Sequence, residues 1–397
     1  MAHPNPPQLK IQNSKFKIPH FYVHIPFCHE KCGYCDFATA TVDSKASATV
    51  FHDYLGALQA QLTHATSFFG KQNLESIYFG GGTPSVWPTE YLKHFLEAVR
   101  AKHTQSHDVE ITVECNPNSL SLAKLDAYRK LGVTRLSLGV QSLQPRSFET
   151  LGRSHSIEQS LQALQWLQQH WKKSFSVDLM FGLPHQTLDD FHRDLQTVLG
   201  FKPPHLSVYG LILEKTTAFG KKYQLRQRPL PNEDAEADMY AHVMEHLAKQ
   251  AYQHYELSSF ALPGHASRHN QAYWQDKNYL GLGLSAASYV EGQRFTGTAN
   301  LKTYLAEPCP DYARLMQRSV PSDKRLSEKL FLMMRTSEGI HFSKLSPRER
   351  DIFDQDIRQE LQKWVTQDFV AYEKQPETWR LNLKGKMIAD EIMQVLV

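Results

Sequence analysis

Between residues 20 and 213, short apolar runs alternate with longer amphipathic stretches, and no other feature constrains the fold as strongly. Phe21–Pro26, Ser76–Phe79, Val109–Val113, Arg135–Val140, Ser174–Met180 and Leu206–Leu213 read as strands. Helical patterns lie near 48–68, 88–103, 120–131, 156–172 and 187–199. Such a repeat gives parallel strands buried on both faces. Six units are too few for a closed eightfold barrel. They predict an α/β fold, an open partial (β/α)6 barrel with its site at the C-terminal strand ends. Each polar signature described next falls at such an end.

The first strand runs into Cys28-His-Glu-Lys-Cys32-Gly-Tyr34-Cys35-Asp-Phe37, a C-x3-C-x2-C loop. Three thiolates on one tight loop can hold three corners of a [4Fe–4S] cube, leaving the fourth iron open to chelate a small molecule. A Cys3His zinc site using His24 or His29 is the alternative. Zinc knuckles usually come as two C-x2-C pairs, and no second pair follows here. Cys115 ends a strand and reads as a buried small apolar residue, and Cys309 stands far away in sequence.

Gly80-Gly81-Gly82-Thr83-Pro84 follows the second strand. Glycines there let the backbone approach a ligand closely. Glu114 ends the third strand, where a carboxylate can meet ribose hydroxyls or an ammonium group. Gln141 ends the fourth strand, and Arg153 sits in Leu-Gly-Arg-Ser-His155. Asp178 lies inside the apolar fifth strand, where a charge is costly unless paired or liganded. Arg153 is its expected partner, or else a clamp for a ligand carboxylate.

Beyond residue 213 the pattern changes. Residues 214–321 read as a linker and extension with a helix near 233–251 and a Tyr-, Trp- and Gly-rich stretch over 252–300. Residues 322–397 read as a small α+β domain resembling a winged helix. Its helices lie near 326–336 and 347–366, its hairpin pairs Asp368–Tyr372 with Trp379–Leu383, and a last helix starts at Lys384. Residues 1–19 read as a flexible arm without a signal-peptide core. A net charge of +3 over 397 residues gives no electrostatic case for nucleic acid. No apolar run is long enough to span a bilayer, and unpaired cysteines suit a reducing cytoplasm.

The cysteine loop and the glycine segment together resemble the radical S-adenosylmethionine (SAM) superfamily. With Tyr22, Glu114, Gln141, Arg153 and Asp178 in this order, the chain resembles the coproporphyrinogen III dehydrogenase (HemN) branch from residue 20 onward. The resemblance implies SAM contacts from Tyr22, Tyr34, Gly81, Gly82, Thr83, Glu114, Gln141, Arg153 and Asp178. It also implies reductive cleavage of the SAM sulfonium as the cofactor's chemistry.

The chain departs from the dehydrogenase at Phe37, where that enzyme carries a further cysteine, and in having only 27 residues before Cys28. His269-Asn-Gln-Ala-Tyr273-Trp274 instead resembles the signature of the HemW haem chaperones, relatives without dehydrogenase activity. A His imidazole can ligate haem iron and aromatic faces can pack on a porphyrin. His269 is therefore the expected haem contact, with His265 the alternative. The implied function is a haem chaperone that holds the cluster, SAM and haem, and delivers haem to an acceptor such as a respiratory or membrane cytochrome. The competing reading is oxygen-independent coproporphyrinogen III decarboxylation.

Overall fold

The computed structural model describes residues 16–42, 47–223, 229–317 and 321–396. The arm expected over residues 1–19 lies outside them as far as residue 15.

Six parallel strands stand side by side in chain order: β1 His20–Ile25, β2 Asn73–Gly81, β3 Thr104–Cys115, β4 Arg135–Gln141, β5 Ser174–Phe181 and β6 His205–Gly210. Helices Ser47–Phe69, Thr89–Lys102, Leu122–Leu131, Ile157–His170 and Leu188–Gly200 make the crossovers. These elements match the expected ones to within a few residues. Two strand ends differ: the third strand starts at Thr104, ahead of the expected Val109, and the sixth stops at Gly210, with Ile212 beyond it 70% exposed. A short helix, Pro145–Leu151, was not anticipated.

Local chemistry explains several helix starts. Ser156 and Thr187 each accept a hydrogen bond from the third helical residue, whose side chain bonds back to the cap. A reciprocal cap of this kind contributes about 1 kcal/mol.

Alternation along the strands sorts the two faces. Leu136, Leu138, Val140, Val177, Leu179, Leu206 and Val208 pack into the apolar core. Their neighbours Ser137, Gly139, Gln141, Ser176, Asp178, Ser207 and Tyr209 line a cavity on the concave side. Register places them in rows: Glu114 opposite Ser137, Ser137 opposite Ser176, and Gly139 opposite Asp178, which faces Ser207. Side chains two apart share a face, so the inner surface is polar. Both faces are buried, yet only the outer one is apolar.

An open sheet leaves two unpaired edges, and the chain returns to cover both. Tyr279–Leu282 pairs parallel with β1 and is followed by antiparallel Ala287–Val290 and Gln293–Thr296. On the other side, Ser259–Ala261 pairs antiparallel with β6 and with Gln253–Glu256. The aromatic and glycine-rich stretch is thus built into the sheet.

At the C-terminal end, Ile340–His341, Glu377–Leu381 and Val370–Lys374 form a small antiparallel sheet in that order. Helices Ser322–Met334, Pro347–Ile352 and Arg358–Thr366 pack on it around Leu330, Phe353, Trp379 and Ile392. This is the helix-and-hairpin unit expected there.

Candidate cofactor site at the strand ends

A cavity of about 310 Å³ opens at the C-terminal ends of β2 to β6. It gathers Cys28, Cys32, Tyr34, Cys35, Gly81, Gly82, Thr83, Glu114, Gln141, Arg153 and Asp178 from segments far apart in sequence. Tyr22, an expected SAM contact, does not line it, and neither does His269, the expected haem contact.

The cysteine loop is tied at its base, where Phe27–Cys28 pairs with Ala40–Thr41. Within it the Cys35 amide donates to the Cys32 carbonyl at 3.1 Å. Cys28 Sγ lies 3.6 Å from Thr83 Oγ1, and Arg153 Nη1 donates to Cys32 Sγ at 3.7 Å. Burial pushes the Cys28 thiol up to about 11, against the pull of Thr83, and raises Cys35 as well. Without a metal these two thiols are neutral. A bound iron would supply the positive charge that deprotonates them, so the donor set fits a cluster held through three corners.

Cys115 lines the same cavity, but burial raises its thiol to about 12 and its sulfur donates to the Val113 carbonyl at 3.6 Å. The zinc alternative weakens at His24, which is tied to Tyr22 at 3.1 Å and to the Ala38 carbonyl at 2.8 Å. His29, its other candidate, is exposed.

The glycine segment passes directly beneath the loop. Gly82 donates to the Ile25 carbonyl at 2.9 Å, and a Cβ on it would lie 2.5 Å from the Pro26 oxygen and 3.0 Å from Cys28 Sγ. Gly81 has φ +115°, a conformation a side chain would strain. Such a cradle fits the methionine end of SAM because the backbone itself forms its wall.

Besides the exposed Glu30 at its rim, two carboxyls face the cavity. Glu114 accepts from Tyr78 at 2.7 Å and from the Gly81 amide at 3.1 Å, yet burial pushes it up to about 7. Asp178 accepts from Ser137 at 3.2 Å, with Ser176 and Ser207 also bonding to it, and burial raises it to about 6. Desolvation thus outweighs the local hydrogen bonds at both, and each is prepared to meet a cationic or hydroxyl-bearing ligand. Arg153 acts on Asp178 through its charge, not as the expected ion-pair partner. Its donors go to Tyr34 at 2.9 Å, and to Asn116 and the Gly139 carbonyl, each at 2.8 Å. Gln141 holds a positive φ of 70° at the end of β4 and accepts from Tyr209 at 2.9 Å.

Sequence reading missed Tyr78, Asn116, Ser137, Ser176, Ser207 and Tyr209, all cavity-lining. Their signal was present. All but Asn116, which follows the end of β3, sit within a strand two residues from another polar or small residue, which is the period of one strand face.

The raised Glu114 carboxyl leads to a prediction. A carboxyl that titrates at about 7 when folded and 4.5 when free stabilises the fold in its neutral form. That contribution is full below 4.5 and is lost as pH rises through about 7. The loss is about 3–4 kcal/mol once both states are ionised, at roughly 1.36 kcal/mol per pKa unit. Glu114→Gln should therefore stabilise the ligand-free protein relative to the unsubstituted chain at about pH 8, and not at about pH 5, in paired thermal melts. Equal pH dependence of the two proteins would contradict the assignment.

A second cavity of about 420 Å³ neighbours the first, and Phe37 lines both. Its walls include Tyr22, His24, Tyr273, Trp274, Tyr279, Tyr289 and Arg294. The helix Arg268–Trp274 stands between the two cavities, with Asn270 lining the first and Tyr273 and Trp274 lining the second. Glu110 anchors its start by accepting from the Arg268 and His269 amides at 3.2 and 3.0 Å, while pairing with buried Arg135. His269 is buried inside this partition. Its Nδ1 meets Ser76 at 2.7 Å and its Nε2 meets the Tyr273 hydroxyl at 2.8 Å. Burial holds it far below the usual imidazole range, hence neutral. His265 lies at the opposite end of the sheet, 3.2 Å from Ser174 at the start of β5.

Comparison with known proteins agrees with this geometry. Residues 22–198 match the Radical SAM superfamily. The chain is 36% identical over 334 residues to "Heme chaperone HemW" of Synechocystis, covering 82% of this chain and 79% of that protein. It is 29% identical over 384 residues to the protein of the same name from Escherichia coli, covering 95% and 97%. A bovine relative, "Radical S-adenosyl methionine domain-containing protein 1, mitochondrial", is 35% identical over 342 residues, covering 82% and 76%. Among solved structures, the coproporphyrinogen III oxidase HemN of Escherichia coli superposes with a TM-score of 0.80 over 96% of this chain and 90% of that one, at 22% identity, which speaks to the fold. The chain belongs to the radical SAM superfamily and, within it, to the family of the heme chaperone HemW.

Proposed function

We propose that this protein is a cytoplasmic haem chaperone that binds haem in the aromatic cavity beside its cluster and SAM site, and delivers it to a haem-accepting protein such as a respiratory or membrane cytochrome. One observation carries the reading: a single helix forms the partition, presenting Asn270 to the cofactor cavity and Tyr273 and Trp274 to the aromatic one. Aromatic faces suit a porphyrin plane. Arg294, which donates to Tyr279 at 2.6 Å and pairs with Glu328, stands on the same wall and offers a cation to a propionate.

In the first cavity, Cys28, Cys32 and Cys35 hold the cluster. Gly81, Gly82 and Thr83 hold the methionine end of SAM, and Tyr34, Glu114, Gln141, Arg153 and Asp178 supply polar contacts around it. Bound there, cluster and SAM together supply reductive cleavage of the sulfonium. Tyr22 joins the two sites: it lines the aromatic cavity and stacks on Tyr78, which lines the first at a ring distance of 6.2 Å. No helix of the described residues is long and apolar enough to cross a membrane, so a membrane acceptor would be met from outside the bilayer.

His269 is assigned as the haem contact, and its geometry sets a condition. Its Nε2 becomes available to iron when the Tyr273 hydroxyl moves away. The test titrates haem into anaerobically reconstituted protein and follows the Soret band. The unsubstituted chain should bind about one haem, and Tyr273→Phe, which frees Nε2, should retain it with His ligation. His269→Ala should weaken binding while keeping the cluster. Normal haem binding by His269→Ala would move the ligand to another residue. Conversion of coproporphyrinogen III to protoporphyrinogen IX by the reconstituted protein would replace the chaperone reading with the dehydrogenase one.

A further inference from the structure

A second cluster of chemistry-bearing side chains lies outside both cavities. His192 is on the last barrel helix, Leu188–Gly200, and His242 and His246 are on the helix Glu233–Lys249. Spacing of four puts the latter two on one face. The two helices pack together through an apolar seam that includes Phe191, Leu195, Met239 and Val243. That packing brings three imidazoles, each half-buried, to one spot. One ring nitrogen from each lies within 4.8 Å of the others.

We propose that His192, His242 and His246 form a binding site for a zinc-class divalent cation, separate from the iron–sulfur cluster. The chemistry of the donors favours it. Three imidazoles suit zinc, copper or nickel and give little to magnesium or calcium, which prefer oxygen. Zinc–imidazole bonds of about 2.0–2.1 Å in tetrahedral geometry put ligand nitrogens roughly 3.3 Å apart. Here His192 Nδ1 and His242 Nε2 are 2.9 Å apart, and the His242 and His246 rings are stacked at 5.5 Å. The His192 and His242 nitrogens need to part by only about 0.4 Å to reach that spacing. Gln196, whose side-chain amide meets His246 Nε2 at 2.9 Å, would turn aside or bond a water in the open fourth position.

The competing explanation is a surface cluster of imidazoles that hydrogen-bond to one another. The convergence of all three on one point favours a cation. One hydrogen bond between His192 and His242 would not require His246 to stack within ligand distance of both. A bound ion would staple the helix Glu233–Lys249 to the barrel's last helix. It would do so on the outer wall, because these residues line none of the cavities described above.

The test uses cluster-reconstituted protein, so that the thiols of the Cys28 loop are already occupied. Zinc(II) alone is titrated in competition with a chromophoric chelator, and cobalt(II) is used as the spectroscopic probe. The unsubstituted chain should bind one zinc beyond its iron content, with a cobalt spectrum typical of nitrogen donors and without thiolate charge-transfer bands. His192→Gln and His242→Gln should each weaken zinc on the order of 100-fold or more, since even outer-shell changes cost 10–100-fold. Zinc should also raise the melting temperature of the unsubstituted chain and not that of His192→Gln, by linkage. Circular dichroism and retained iron content verify that the variants fold. Equal zinc affinity in the unsubstituted chain and both variants, or a cobalt spectrum dominated by thiolate, would overturn the site.

Discussion

Cys32→Ala should leave the protein without its cluster, with loss of visible absorbance and of iron content from ~four irons per chain after anaerobic reconstitution. The effect is expected to be complete because no replacement ligand stands ready. Cys115 shares the cavity wall, but its thiol is held near 12 by burial and its sulfur is turned to the Val113 carbonyl. Cys309, the remaining cysteine, is exposed and lines none of the cavities described above. Cys28→Ala and Cys35→Ala should behave alike. Arg153 should report the loss as well, since its guanidinium donates to Cys32 Sγ. Retention of about four irons in Cys32→Ala would sink the three-cysteine assignment.

Gly82→Val should abolish SAM binding, and the structure adds that it should also cost iron. The added Cβ would stand against the Pro26 carbonyl and 3.0 Å from Cys28 Sγ, so the side chain collides with the base of the cysteine loop. Relief requires backbone movement, because Pro26 is a main-chain neighbour and not a flexible tip. Asp178→Asn provides the selective comparison. The Asp178 hydrogen bonds go to Ser137, Ser176 and Ser207, so this variant should keep the cluster while weakening SAM about tenfold or more, since hydrogen bonds to charged groups contribute about 1.5–3 kcal/mol. Equilibrium dialysis with SAM and iron analysis separate the two variants. Unchanged SAM affinity in Gly82→Val would reduce the glycine segment to a turn.

The architecture of the barrel was legible because its signals are local. Hydrophobic period, cap residues and breakers act within a few residues, and they placed all six strands and five crossover helices close to their observed ends. The cysteine loop was legible for the same reason: its three cysteines lie within eight consecutive residues. Glu114, Gln141 and Asp178 could be anticipated at the site because each interrupts or closes an apolar strand.

Other features depended on distance in space. The 252–300 stretch carries no signal that it will close both sheet edges, since edge pairing depends on which backbone groups remain free once the other strands have assembled. The pairing expected between Arg153 and Asp178 gave way to contacts with Tyr34, Cys32, Asn116 and the Gly139 carbonyl, all nearer once the chain is folded. His269 read as an open ligand, but folding buries it between Ser76 and Tyr273.

The sequence by itself determined the strand–helix order, the three-cysteine loop and the glycine turn beside it, because those depend on neighbours along the chain. The tertiary structure alone decided what each polar side chain meets. That is why Glu114 is pushed up to about 7, why one helix divides two cavities, and why three histidines from two helices converge. Desolvation and convergence are properties of the assembled interior, where burial sets the cost of charge and packing sets which donors face one another.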